Sequence, residues 1–162
     1  MPDGRDVHPV DARQREALGC HLQAFCNDID GVRSVVLASV DGFAVVPGAG
    51  THGNGERLAA MTSAMLALAG AVGRELALGE LEVLMLEAGG SKVLMLALPS
   101  QPAPLLLMTA CDQRCVVGKV LWRAKECGRN IVAELSGSRA DPQGHMGLDN
   151  QRGATWQDSI RP

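Results

Sequence analysis

The chain has 162 residues, of which 46% are hydrophobic and only 2% aromatic, and its formal net charge is -3 at pH 7. This length and apolar content suit one domain with its own core and exclude a wholly disordered protein. The lack of a concentrated basic run and the scarcity of aromatic rings argue against binding to duplex or single-stranded nucleic acid.

The cysteines and the polar N-terminus indicate a reducing compartment. Five cysteines are an odd number, and the opening MPDGRDVHPVDAR has no apolar signal-peptide core. The most apolar stretch, residues 58–73, is shorter than the roughly 20 residues that a membrane span needs. We therefore expect a cytoplasmic protein with reduced thiols and no membrane insertion.

The N-terminal part predicts a flexible arm, a helix and a hairpin. Residues 1–10 form the predicted arm. A helix then begins near Asp11, because apolar residues recur at steps of four, three and four. Residues 33–40 and 43–46 are predicted strands, joined by a tight turn at Asp41-Gly42. The helical apolar residues are Leu18, Leu22, Phe25 and Ile29.

A long helix with no charge in its central part occupies the middle of the chain. It is predicted over residues 56–78, after the Gly-rich loop 48–55 and before Gly79. Ala and Gly are common along it and would let another helix approach closely. The larger apolar residues predicted along one face are Leu58, Met61, Met65, Leu68, Val72 and Leu76.

The remaining elements are a hairpin, a strand and a helix. Strands are predicted over residues 81–87, 92–98 and 105–111, and Asp112 is the predicted N-cap of a helix that reaches Leu135. The predicted order is therefore α-β-β-α-β-β-β-α. It describes an α+β domain over residues 11–135, with a five-stranded, largely antiparallel sheet covered by helices on both faces. Residues 136–162 are polar and Gly-rich and form a predicted disordered tail.

Two short motifs have both a chemical and a structural explanation. Gly48-Ala49-Gly50-Thr51-His52-Gly53 matches the dinucleotide fingerprint GxGxxG. However, the strand before it belongs to a hairpin, and Pro47 and Asn54-Gly55 separate the glycines from both neighbouring elements. A flexible connector is therefore the favoured interpretation. Cys111 and Cys115 lack the CxxC spacing of zinc sites, so buried free thiols are favoured over a metal site.

We expect no catalytic site, cofactor or metal. Neither His21 nor His52 has the partner pattern of a nucleophile–base pair, and no P-loop motif occurs. Trp156 is a lone aromatic in the tail that could serve as a short docking motif. A thiol-based or loop-based enzyme remains an alternative, which Cys→Ser substitutions and Gly50→Ala would test.

The apolar middle of the chain favours association of two copies. Strand 81–87 follows a helix connection, is apolar and contains no proline, so it is a candidate sheet edge that needs a partner. A two-fold axis could pair this strand with its copy and bring the two 56–78 helices side by side. The sequence thus predicts a homodimer.

Several of these features together resemble the Roadblock/LC7 family, especially its bacterial members. They are the element order over residues 14–135, the hairpin with Ser39-Val40-Asp41-Gly42, the long small-residue helix and the hairpin after it. The resemblance implies a five-stranded sheet in a three-layer α/β/α sandwich. It also implies homodimers joined through the strand 81–87 and the paired central helices.

The family's members are non-catalytic regulators or scaffolds, many of them for small Ras-like GTPases. The resemblance therefore implies a GTPase partner and a modulating role in its cycle or localisation. The alternative is a ligand-sensing module that binds a small molecule near loop 48–55. The predicted dimer interface consists of Met61, Met65, Leu68, Val72, Leu76, Leu81, Val83 and Met85.

Overall fold

The structure, a computed structural model, describes residues 10–137. Most of the predicted arm and tail, including Trp156, lie outside these residues. The described part contains three helices and four strands, and the elements follow one another as α-β-α-β-β-β-α. Their bounds are α1 Ala12–Asp28, β1 Val32–Ser39, α2 Gly55–Glu75, β2 Val83–Ala88, β3 Ser91–Leu98, β4 Leu105–Cys111 and α3 Val117–Gly137.

The four strands form one antiparallel sheet in the order β1-β4-β3-β2. Two apolar clusters lie on its opposite faces, because successive side chains of a strand point to opposite sides. One cluster contains Val35 and Leu37 of β1 together with residues of α1 and α3. The other contains Val36 and Ala38 of β1 together with residues of α2. The sheet is therefore apolar on both faces, as the sequence predicts.

The first helix has the predicted apolar stripe, since Leu18, Leu22, Phe25 and Ile29 are all buried. Its N-terminus is capped by Asp11, whose carboxylate accepts the backbone N–H of Gln14 at 2.8 Å. The Gln14 side chain in turn accepts the N–H of Asp11, which completes a capping box.

The predicted second strand, residues 43–46, is not confirmed: the described residues form four regular strands rather than five. The chain does turn at Gly42, where φ is 90°, and returns beside β1. However, it bonds to β1 only at isolated points, among them the bridge between Ala38 and Ala44. Val45 and Val46 are both buried in the same cluster. Two consecutive side chains cannot share one face of a regular strand, so the ladder is interrupted here.

The start of the last helix also differs from the prediction. It begins at Val117, and Asp112 does not cap it. The Asp112 carboxylate instead accepts the backbone N–H of Arg114 at 2.9 Å, within a turn that precedes the helix. Asp112 therefore does cap a local structure, but that structure is a turn rather than α3.

Candidate association surface

The orientation of α2 leaves its larger apolar side chains exposed. Its sheet-facing side is made mostly of small residues, and Leu66 is the one large side chain there that is almost fully buried, at 1% exposure. Small residues let the helix approach β1 and β4 closely. We call the outward-facing row the α2 stripe; it consists of Met61, Met65, Leu68, Val72 and Leu76. All except the partly buried Met65 are exposed, and Leu68 is exposed by 68%.

Helix α2 ends in a Schellman motif in which Ala77 takes the position that glycine usually occupies. The N–H of Leu78 donates to the carbonyl of Gly73 at 2.9 Å, and the N–H of Ala77 donates to that of Arg74. Ala77 adopts a positive φ of 52°, a conformation that usually selects glycine. This turn directs the chain from the end of α2 towards the sheet edge at β2.

Strand β2 is an edge of the sheet, as the sequence predicts. It pairs with β3 along one side, and no described strand pairs with the other. The register assigns its side chains to faces: Met85 lies opposite Leu94 of the α1–α3 cluster, and Leu86 lies opposite Val93 of the α2 cluster. Met85 is 48% exposed and Leu86 is 40% exposed. The unpaired edge is thus flanked by exposed apolar side chains on both faces.

A groove of about 750 Å³ connects the α2 stripe with this edge, and we call it the edge groove. Met65, Leu68 and Val72 line its helix side, and Leu84 and Leu86 line its strand side. The surface is apolar and open, which is typical of protein–protein contact sites.

The edge groove brings together five of the eight predicted interface residues: Met65, Leu68, Val72, Leu81 and Val83. Leu81 lies before β2 rather than in it, and Val83 and Met85 face the α1–α3 side. Sequence reasoning missed four large apolar contributors, Leu78, Leu84, Leu86 and Leu121. The period of two along β2 could have identified Leu84 and Leu86, because they lie on the face opposite Val83 and Met85.

The Gly-rich loop is held against β1. Ala49 and Val35 exchange two backbone hydrogen bonds, each of 2.9 Å. A Cβ on Gly48 would lie 2.9 Å from the Val35 carbonyl oxygen, and Gly50, with φ of 64°, packs against the carbonyl of Arg33. These glycines therefore permit close approach to a strand, which accounts for them without a bound phosphate. Ligand binding at this loop remains a prediction.

The five thiols form no disulfide with one another and differ in accessibility. All five cysteines are free; Cys20 is exposed, whereas Cys111, Cys115 and Cys127 are buried. Burial raises the pKa of the Cys111 thiol to about 12, with a further contribution from Cys115, and raises that of Cys127 to about 11. A high pKa leaves little thiolate at neutral pH, so these groups are poor nucleophiles.

A charged cluster lies just after the C-terminal end of β4. Asp112 pairs with Arg114 at 3.0 Å and also with Arg33, while Arg114 pairs with Asp30. The hydrogen bonds from the Arg114 side chain and backbone, followed by that from Arg33, lower the pKa of Asp112 to about 2. The cluster joins the start of β1 to the turn before α3, and its groups are all paired with one another.

Residues 10–137 contain neither a metal-binding cluster nor a membrane-spanning helix. No group of three or more His, Cys, Asp or Glu side chains is placed to hold a metal ion. No helix among these residues combines the length and hydropathy needed to cross a membrane.

The sequence and the fold are both similar to those of known proteins. The family model described as the Roadblock/LC7 domain matches residues 21–101. No curated protein matches the chain. Among solved structures, MglB from Myxococcus xanthus is similar at a TM-score of 0.67 and 17% identity, over 80% of this chain and 95% of that one.

Two further structures show the same fold. A Roadblock/LC7 domain from Streptomyces avermitilis gives a TM-score of 0.66 at 14% identity, over 73% of this chain and 97% of that one. The gliding protein MglB from Thermus thermophilus gives 0.64 at 14% identity, over 78% and 94%. Since the family model covers half of the sequence and these structures share its architecture, the chain belongs to the Roadblock/LC7 family.

Proposed function

We propose that this protein is a homodimeric, non-catalytic regulator or scaffold that binds a small Ras-like GTPase and modulates its cycle or localisation. The observation that carries the proposal is the exposed apolar surface formed by the α2 stripe and the unpaired strand β2. Membership of the Roadblock/LC7 family supports the partner class, because many of the family's members serve such GTPases.

The proposed dimer follows from the sheet edge. A two-fold axis beside β2 would pair it with the partner's β2 and join two four-stranded sheets into one of eight strands. The same operation would place the two α2 stripes against each other, so that Leu68 and Val72 are buried. Pairing would also satisfy the free backbone groups of β2, which otherwise invite aggregation.

The five-stranded, three-layer arrangement that the family resemblance implies is part of this proposal. Residues 43–46 already run beside β1 and form an isolated bridge with it. We include this segment as a short, irregular fifth strand at the β1 edge of the sheet. Hydrogen exchange of the Val45 amide, which donates to the Leu37 carbonyl, tests this: protection comparable to that of the β1 amides is expected, and exchange as fast as in an open loop would contradict it.

Binding to a GTPase is tested directly with purified proteins. Candidate small GTPases encoded near this protein's gene are loaded with GDP or with a non-hydrolysable GTP analogue, and binding is measured by titration calorimetry. We expect saturable binding that differs between the two nucleotide states. The absence of binding in both states, for a chain shown to be folded and dimeric, would contradict the partner class while leaving the dimer intact.

The role of the apolar surface is tested with matched charge variants. Leu68→Glu places a charge in the middle of the α2 stripe, and Ala24→Glu adds the same charge at an exposed position on α1. We expect Leu68→Glu to dissociate the dimer and Ala24→Glu to leave it unchanged. Equal behaviour of the two variants would contradict the assignment of the interface to α2.

A further inference from the structure

A second apolar groove lies beside the C-terminal half of α3, and we call it the α3 groove. Its volume is about 630 Å³, and its apolar lining includes Leu98 at the end of β3, Pro99 after it, and Val132 and Ala133 of α3. This size and lining can take a large aromatic side chain together with the residues that follow it in a short segment. The groove is separate from the α2 stripe, although both grooves include Leu81.

Charges of both signs surround the α3 groove. Lys125 and Arg129 contribute the cationic side from α3, and Glu80 and Glu82 contribute the acidic side from the segment before β2. Lys125 pairs with Glu82 at 3.6 Å and both side chains are largely exposed, so this pair contributes little stability by itself. An occupant with an apolar anchor, a carboxylate and a cation would complement such a rim.

The chain itself contains a segment with this chemistry. Residues 138–162 follow directly from the end of α3, and their sequence includes Trp156-Gln157-Asp158-Ser159-Ile160-Arg161. Trp156 is the largest apolar side chain after Gly137, Asp158 supplies the carboxylate and Arg161 supplies the cation. Residues 1–9, by contrast, contain no Trp, Phe or Tyr.

The length of the chain permits this contact. Ala133 precedes Gly137 by four residues of helix, or about 6 Å. Eighteen residues lie between Gly137 and Trp156, and a random coil of that length has a root-mean-square span of about 25 Å. The segment is therefore within reach at an effective concentration of about 1 mM. At that concentration a segment with an intrinsic Kd of about 100 µM would be docked about ten times more often than free.

We propose that residues 156–161 dock in the α3 groove of their own chain, with Trp156 between α3 and the end of β3 and Asp158 beside Arg129. The docked segment covers apolar surface that the four strands and three helices leave open. Because the α3 groove shares Glu80, Leu81 and Glu82 with the edge groove, the docked segment adjoins the proposed dimer surface.

The test uses the fluorescence of Trp156 in the full chain. The chain has two tryptophans, and Trp122 is 59% exposed, so Trp122→Phe leaves Trp156 as the sole emitter at little cost to folding. We expect blue-shifted emission and acrylamide quenching up to about tenfold weaker than that of a free peptide of residues 150–162. Quenching equal to that of the peptide would overturn the proposal.

Three additional variants, each made in the Trp122→Phe background, locate the docking site. Ala133→Asp places a charge in the apolar lining and Arg129→Glu reverses the charge facing Asp158, whereas Asn130→Asp changes an exposed α3 residue outside this groove. Quenching of Trp156 should reach the value of the free peptide in Ala133→Asp and should increase part of the way towards it in Arg129→Glu. It should stay unchanged in Asn130→Asp. Equal effects of all three would overturn the assignment to this groove.

Dilution identifies which copy supplies the segment. Docking within one chain predicts protection of Trp156 that does not change between high and low micromolar protein. Loss of protection on dilution would assign the segment to a second copy and overturn the intramolecular arrangement.

Discussion

Leu66 and Leu68 lie on opposite sides of α2, so replacing each by alanine should change the free energy of unfolding by different amounts. Leu66 is 1% exposed and packs in the cluster between α2 and the sheet, whereas Leu68 is 68% exposed. Leu66→Ala therefore removes buried methyl groups and leaves a cavity, which costs about 3 kcal/mol within a usual range of 2–5. Leu68→Ala removes atoms that are already largely in water in a single chain, and costs less than about 1 kcal/mol there.

Urea unfolding at several protein concentrations separates the two effects. With an m-value of about 2 kcal/mol/M, Leu66→Ala should lower the midpoint by about 1.5 M at every concentration. Leu68→Ala should remove mainly the part of the stability that increases with concentration, because that part derives from association. Circular dichroism reports the transition for both variants, and neither loses stability through helix propensity, because alanine is the strongest helix former.

The reasoning would be refuted if the two variants exchanged their effects on stability. A large loss for Leu68→Ala at the lowest concentration, together with a small loss for Leu66→Ala, would mean that α2 buries its larger residues. The α2 stripe would then be core, and the case for a dimer through this helix would lose its main support.

Three further predictions concern the turns, the charges and the thiols. Ala77→Gly should stabilise the protein by about 1 kcal/mol in thermal or urea unfolding, since glycine adopts the positive φ of 52° without strain. An unchanged stability would contradict the left-handed conformation of Ala77. Asp112 has a pKa lowered to about 2, so its stabilising effect is present above pH 4 and is lost as the pH falls from about 4 to 2. Asp112→Asn should flatten the stability–pH curve in that window, and an unchanged slope would count against the charged cluster. A thiol reagent at pH 8 should label the exposed Cys20 first, and it should label the buried Cys111 and Cys127 only when the protein unfolds. Mass spectrometry follows the labelling, and rapid labelling of Cys127 in the folded chain would contradict its burial.

The regular elements could be predicted from the sequence because their patterns have only one physical solution. The α1 stripe of Leu18, Leu22 and Phe25 has helical spacing with polar residues around it, so its buried face is unambiguous. Residues 105–111 are apolar, begin after a run of prolines and match β4 in both bounds. The family resemblance, based on such elements and on the Asp41-Gly42 turn, is confirmed by the family model.

The errors occur where local pattern does not decide the structure. Helix α2 is apolar or small on almost every side, so its sequence period alone does not decide that the side with Ala59 and Leu66 packs against the sheet. That choice depends on close approach to β1 and β4, which is a tertiary effect. Residues 43–46 have strand-like composition, but burial of both Val45 and Val46 in one cluster prevents a regular ladder.

The candidate surface was only partly predictable for the same reason. Its helix residues follow from the spacing of Met61, Leu68 and Val72, and all three are exposed. Its strand residues depend on register, and the register places Leu84 and Leu86 rather than Val83 and Met85 on the α2 side. A shift of one residue changes the face of every side chain, so strand interfaces are more difficult to predict than helix interfaces.

The central claim is that the α2 stripe and β2 hold two copies together, and sedimentation equilibrium of the full chain tests it most directly. The account predicts a mass of twice the 17.0 kDa of one chain at micromolar concentration, and a single-chain mass for Leu68→Glu with an unchanged circular dichroism spectrum. A parent protein that sediments at 17.0 kDa across this range would contradict the claim.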